Sequence, residues 1–168
     1  MGYRIYSVFM TVIFLILLYR LLVIIKEKVE VEKINKEIKW KNYRLQIINK
    51  NIYYIFILAN QKEAIKNYFN RHQIDNVSIY GMNEVGKACV QLFVDAGVNV
   101  CYCIDKNTNI LNEYVEIRQV ENIDDQADII IVATEMYFKE INESIKTGIP
   151  IRKLSEVLEE VLVTSHKY

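Results

Sequence analysis

The chain has 168 residues, 52% apolar and 25% charged, which is the composition of a folded protein with one core of ordinary size and excludes a disordered chain. Its 21 basic and 21 acidic residues give a formal net charge of zero, so no basic surplus points to nucleic acid. The charge is unevenly spread: residues 1–75 carry 13 Lys/Arg against 6 Asp/Glu, and residues 76–168 carry 8 against 15, which predicts two physical environments along one chain. Cys89, Cys101 and Cys103 fall in a predicted helix and strand, and Cys101 and Cys103 are expected on one strand face, where neighbours pair poorly; reduced thiols follow. His72 and His166 stand far apart without ligand spacing, so no metal site is expected.

The N-terminus reads as a membrane anchor over residues 1–25. From Ile5 to Ile25 the run "IYSVFMTVIFLILLYRLLVII" has Arg20 as its only charge, and 21 helical residues reach roughly 31 Å, enough for a hydrocarbon core. Arg20 lies near the end of the run, where its stem can snorkel to the headgroups beside Tyr19. Arg4 alone precedes the run, whereas Lys26, Lys28, Lys33, Lys36, Lys39 and Lys41 follow it. This asymmetry predicts a single-pass protein of the cell membrane, N-terminus outside and C-terminal domain cytoplasmic. A cleavable signal peptide has a shorter apolar core and small residues after it; here Lys-Glu-Lys-Val-Glu follows.

Residues 26–73 are expected to form a helical stalk and connecting helices. Val29, Ile34, Ile38, Trp40, Tyr43, Ile47 and Ile48 recur among Lys and Glu at three- and four-residue intervals, without Gly or Pro. Such a stripe can pair with a partner helix, giving a homo-oligomer, or pack on its own domain. The run "IYYIFILA" (52–59) reads as the buried part of a helix, and residues 61–71 as an amphipathic helix with Ala64, Ile65, Tyr68 and Phe69 on one face. "HQIDN" then breaks the pattern, and a domain over residues 74–168 begins.

From residue 77 strands and helices alternate. The pattern predicts a strand at Val77–Tyr80, a helix at Glu84–Ala96 ended by Gly97, and a strand at Val98–Ile104. After these come a short strand near Val115–Ile117, the buried strand "ADIIIVAT" (127–134), a helix over roughly 136–147 capped by Gly148, a strand near 150–152 and a terminal helix near 154–163. Alternation of this kind implies an α/β fold with right-handed crossovers and a parallel sheet in the order 3-2-1-4-5, with a ligand crevice at the carboxyl ends of strands 1 and 4.

The stretch "SIYGMNEVGKACVQLF" (78–93) sits where such a crevice needs a phosphate-binding turn. Gly81 follows strand 1 and Gly86 opens the helix, as in a Gly-x-Gly-x-x-Gly fingerprint, but the middle position is Asn83. Asn tolerates left-handed backbone, so the turn can survive, while its side chain takes space near the phosphates and Glu84 adds negative charge at the helix start. The second strand ends in Asp105, 24 residues beyond Gly81, near the offset at which a carboxylate meets a ribose hydroxyl.

At these residues "VSIYGMNEVGKACVQLFVDAGVNVCYCIDKN" resembles the nucleoside-diphosphate-sugar epimerase-like Rossmann domains of bacterial polysaccharide and glycan biosynthesis proteins, over roughly residues 74–155. The resemblance implies turn and packing roles for Gly81 and Gly86, phosphate contact at the amides of Glu84 and Val85, a ribose or sugar hydroxyl on Asp105, and a site position at Thr134 after strand 4. Asn83 departs from the pattern. The implied ligand is NAD or a nucleotide-sugar. Catalytic members of the family use Tyr-x-x-x-Lys on a helix, and the copy here, Tyr102 to Lys106, falls on a strand, so an enzyme complete in this chain is not expected. The expected function is a membrane-tethered nucleotide- or nucleotide-sugar-binding module, accessory or regulatory in surface-glycan assembly. A ligand-sensing domain of a transport system and a scaffold with an empty site are the alternatives.

Overall fold

The computed structural model describes residues 2–110 and 112–165; the side chains of residues 2–9 and of Thr11 lie outside that description. The chain divides into two compact units, Met1–Tyr43 and Arg44–Tyr168. Helix α1 (Gly2–Leu58) provides the described residues of the first unit and the opening of the second. No Gly or Pro occurs between Tyr3 and Leu58, so nothing in the sequence interrupts its hydrogen-bond ladder.

In the first unit α1 carries apolar side chains on every side: Phe14, Leu15, Ile16 and Leu17 are each more than half exposed, at 64%, 61%, 55% and 62%. Among the described residues, no helix is long and apolar enough to cross a membrane. The expected span Ile5–Ile25 begins in residues whose side chains lie outside the description.

The second unit takes in residues 44–73 as well as the alternating half. The end of α1 packs into this unit's core through buried Leu58 and the half-buried Ile48, Tyr54 and Ile55, while Ile52, Tyr53 and Phe56 stay exposed. Helix α2 (Lys62–Arg71) follows and buries Ile65, Tyr68 and Phe69, three of the expected face.

The order then runs β1 (Asn76–Tyr80), α3 (Glu84–Asp95), β2 (Asn99–Ile104), β3 (Ile117–Arg118), β4 (Ile129–Val132), α4 (Phe138–Ser144), β5 (Ile151–Lys153) and α5 (Leu154–Ser165). Single 3-10 turns precede β4, at Val120–Asn122, and α4, at Glu135–Tyr137. All strands pair in parallel, in the order β3-β2-β1-β4-β5, which is the expected doubly wound, Rossmann-like α/β arrangement. One sheet face, with Val77, Ile79, Ile129 and Ile131, is covered by α2, α3, α5 and the end of α1; the other, with Tyr80, Tyr102, Ile130 and Val132, is covered by α4. Burial on both faces explains why β4 reads as an unbroken apolar run instead of alternating.

Three local expectations are corrected. The fourth helix is not a continuous 136–147 element and Gly148 does not cap it. It stops at Ser144, whose hydroxyl donates to the Ile141 carbonyl at 2.8 Å, and Ile145 turns extended so that its side chain is buried. Strand β3 begins at Ile117 because the Asn112 side chain accepts from the Tyr114 and Val115 amides and holds the chain in a turn there. Cys101 and Cys103 do not share a face. The β1–β2 register shifts between Val77 and Ser78, whose partners are Val100 and Tyr102, leaving Cys101 as the extra residue of a bulge. Cys101 therefore packs on the α4 side while Cys103 is buried on the other, and all three cysteines are free thiols.

Candidate functional site

The two glycines of the turn are required by close approach. Gly81 has φ +95°, and a Cβ there would stand 1.9 Å from the Thr134 hydroxyl oxygen. A Cβ on Gly86 would stand 1.9 Å from the Gly81 carbonyl oxygen, so the start of α3 lies directly against the end of β1. Gly81 thus sits at the turn and Gly86 at the contact between helix and strand.

Asn83 behaves differently from the expectation. Its backbone is extended, at φ −72° and ψ −177°, so no left-handed tolerance is used; it is the N-cap of α3, and its side-chain oxygen accepts from the Gly86 amide at 3.0 Å. Glu84 is exposed in the first turn beside Lys87, at 3.3 Å, and Val85 is buried in the core. Asp105 follows β2 and faces the same turn. Its Oδ2 accepts from the Met82 amide at 2.7 Å and its Oδ1 from the Asn107 amide at 2.9 Å.

A cleft of about 870 Å³ opens at the carboxyl ends of the strands, on the α4 side of the turn. Gly81, Asp105 and Thr134 line it together with Tyr80 and Glu121, and α4 contributes Glu140; Asn83, Glu84, Val85 and Gly86 are not in its lining. This is the switch point of the sheet, where β1 is flanked by β2 on one side and β4 on the other and their connections diverge. The lining carries three carboxylates, Asp105, Glu121 and Glu140, against one ammonium, Lys106. Burial pushes the Tyr80 phenol above its usual range, and the charges of Asp105 and Glu121 push it further.

Comparison with protein-family models, with curated proteins and with solved structures returned no match. The site is therefore read from its own geometry.

Tyr102 and Lys106 do not form an acid–base pair. The Tyr102 hydroxyl donates to the Asp124 carbonyl at 2.9 Å, and Arg118 lies over its ring at 4.4 Å, so the phenol is held in the fold. Among the described residues no group of His, Cys, Asp or Glu is arranged to hold a metal ion. Sequence reasoning missed Tyr80, Glu121 and Glu140 as cleft residues; the acidic surplus of residues 76–168 was the available signal, without positions. It also missed Glu135, buried one residue after Thr134, which accepts from Asn51 Nδ2, the Ser155 amide and the Ser155 hydroxyl at 2.9, 2.6 and 2.7 Å.

Proposed function

We propose that the chain is a membrane-tethered, cytoplasmic module that binds a nucleotide or nucleotide-sugar in the switch-point cleft, with an accessory or regulatory role in cell-surface polysaccharide biosynthesis. The observation that carries the binding part is the convergence of Gly81, Asp105 and Thr134 at one cleft of about 870 Å³, a volume that suits a nucleoside-sized ligand. Asp105 has the position and the acceptor oxygens to receive a ribose or sugar diol, as NAD or a nucleotide-sugar would present. The glycan setting rests on the resemblance of residues 74–155. Tethering is supported by the apolar residues that surround α1 between Val12 and Ile25 and by the cluster of lysines after them.

The experiment is thermal unfolding of the full chain in non-ionic detergent with millimolar NAD, ATP, AMP or UDP-sugars. A ligand present at 100 times its Kd adds about 2.7 kcal/mol and moves the midpoint by several degrees. Stabilisation by one nucleotide class, lost in Asp105→Ala, supports the reading; no shift with any of them removes it.

A homo-oligomer is supported by a separate observation. Val31, Ile34 and Ile38 fall at a and d spacing on α1 and are 56%, 48% and 49% exposed, a seam that a second copy of the helix covers.

A further inference from the structure

The cleft has a charge and a hydrogen-bonding pattern that select between nucleosides or sugars and their phosphates. In a Gly-x-Gly-x-x-Gly turn the free amides of the turn and of the first helical residues are what receive a pyrophosphate. Here two of these amides already have acceptors from the protein itself: Met82 gives its N–H to Asp105 at 2.7 Å, and Gly86 gives its N–H to Asn83 at 3.0 Å. The acceptors are a carboxylate and a side-chain amide oxygen, so a phosphate approaching the turn meets oxygen lone pairs where it needs donors. Glu84 places a further carboxylate at the helix start. Within the cleft, Asp105, Glu121 and Glu140 face Lys106 alone. A phosphate brought into this space is repelled by these carboxylates, two of which, Asp105 and Glu121, also raise the Tyr80 phenol after burial does.

What the cleft offers is the reverse: carboxylate acceptors for hydroxyl or amine donors, with Tyr80 and Tyr137 to lie against a ring. We infer that the cleft takes a phosphate-free ligand, a neutral or cationic nucleoside or sugar whose vicinal hydroxyls bind Asp105, in preference to the corresponding diphosphate. This rests on the proposed use of the cleft for the ribose or sugar of a nucleotide-type ligand and departs from that proposal in the phosphate, which it leaves out. Asp105 occupies the Met82 amide and Asn83 the Gly86 amide, at the two ends of the turn.

The test compares matched pairs on the full chain in detergent: adenosine against ADP and NAD, uridine against UDP and UDP-glucose, by calorimetric titration at low and at high salt. The expected result is that a nucleoside binds at least as tightly as its diphosphate, and that the diphosphate gains affinity as salt screens the carboxylates. In Asn83→Gly the Gly86 amide is released, and ADP binding strengthens roughly tenfold, the worth of one hydrogen bond to a charged acceptor, while adenosine binding is unchanged. Glycine keeps most of the capping preference at that position, so the variant folds. ADP or NAD binding tenfold or more tighter than adenosine to the natural chain overturns the inference and leaves the nucleotide-site reading standing. Binding of none of the six overturns both. Unchanged ADP affinity in Asn83→Gly overturns the assignment of Asn83 as the block.

Discussion

Asn51 and Glu135 meet inside the second unit: the Asn51 side-chain amide donates to Glu135 Oε1 at 2.9 Å, joining the final turns of α1 to the loop after β4. The same carboxylate caps α5 through the Ser155 amide and hydroxyl. Glu135 is 8% exposed and Asn51 1%, so neither group has water to replace a lost partner. Glu135→Ala leaves three donors without an acceptor and is expected to cost about 3 kcal/mol. Asn51→Leu costs less, because the Asn51 carbonyl oxygen is itself buried without a partner and its removal recovers part of the loss. Urea unfolding of the two variants checks this; an equal or larger loss in Asn51→Leu contradicts it.

Gly86→Ala is expected to be among the most damaging single-methyl additions in the chain. The new Cβ would lie 1.9 Å from a backbone oxygen, at Gly81, which cannot rotate away as a side chain can. The start of α3 has to lift off β1, and a loss of about 2 to 3 kcal/mol follows from overpacking at that contact. Gly97→Ala has open space and only its φ of +76° against it, so about 1 kcal/mol is expected there. Denaturation midpoints that place Gly97→Ala below Gly86→Ala sink this ordering.

The Arg152–Glu160–Tyr68 cluster gives stability a defined pH dependence. Arg152 binds Glu160 through two nitrogens at 2.9 and 2.6 Å, and Tyr68 donates to the same carboxylate at 2.7 Å. The Arg152 hydrogen bonds hold the Glu160 carboxyl at about 2, below an unfolded value near 4.3. A depressed folded value means that this contribution is complete above about pH 4.3 and is lost as pH falls toward 2. Glu160 is nearly half exposed, so solvent screens the pair and the slope is shallow. Burial, and then the bond to Glu160, raise the Tyr68 phenol to about 12, so its contribution is present below about pH 10 and is lost between 10 and 12. Acid and alkaline unfolding curves check both limbs. Glu160→Gln flattens the acid limb and Tyr68→Phe the alkaline one; a Glu160→Gln curve parallel to that of the natural chain from pH 4 to 2 rules this out.

The three thiols should differ in reactivity. Burial raises the Cys89 thiol well above its ordinary value and the Cys103 thiol to about 12, whereas Cys101, at the bulge, is half-buried and raised less far. Alkylation at pH 8 with mass-spectrometric readout is expected to label Cys101 first and the other two only after denaturation. Early labelling of Cys103 excludes the bulge geometry.

Much of the site was legible as positions in the chain. Gly81, Gly86 and Asp105 stood out by spacing, because a strand that must turn into a helix needs glycine at its end and the carboxyl ends of neighbouring parallel strands come together; Thr134 entered only through the resemblance. Their chemistry was not legible. Whether Asn83 turns left-handed or caps the helix depends on where the Gly86 amide points, and whether Asp105 is free depends on its distance to Met82, 23 residues away.

The sequence by itself determined the alternation of strands and helices, the order of the parallel sheet and the place of the crevice, because period, apolar runs and crossover handedness are local or topological properties. Only the tertiary structure decided that Cys101 leaves the strand face of Cys103, that Glu121 and Glu140 join Asp105 at one cleft, and that Glu135 ties β4 to α1 and α5. Each of those is a contact between segments distant in sequence, set by side-chain packing and hydrogen-bond geometry that no window of neighbouring residues contains.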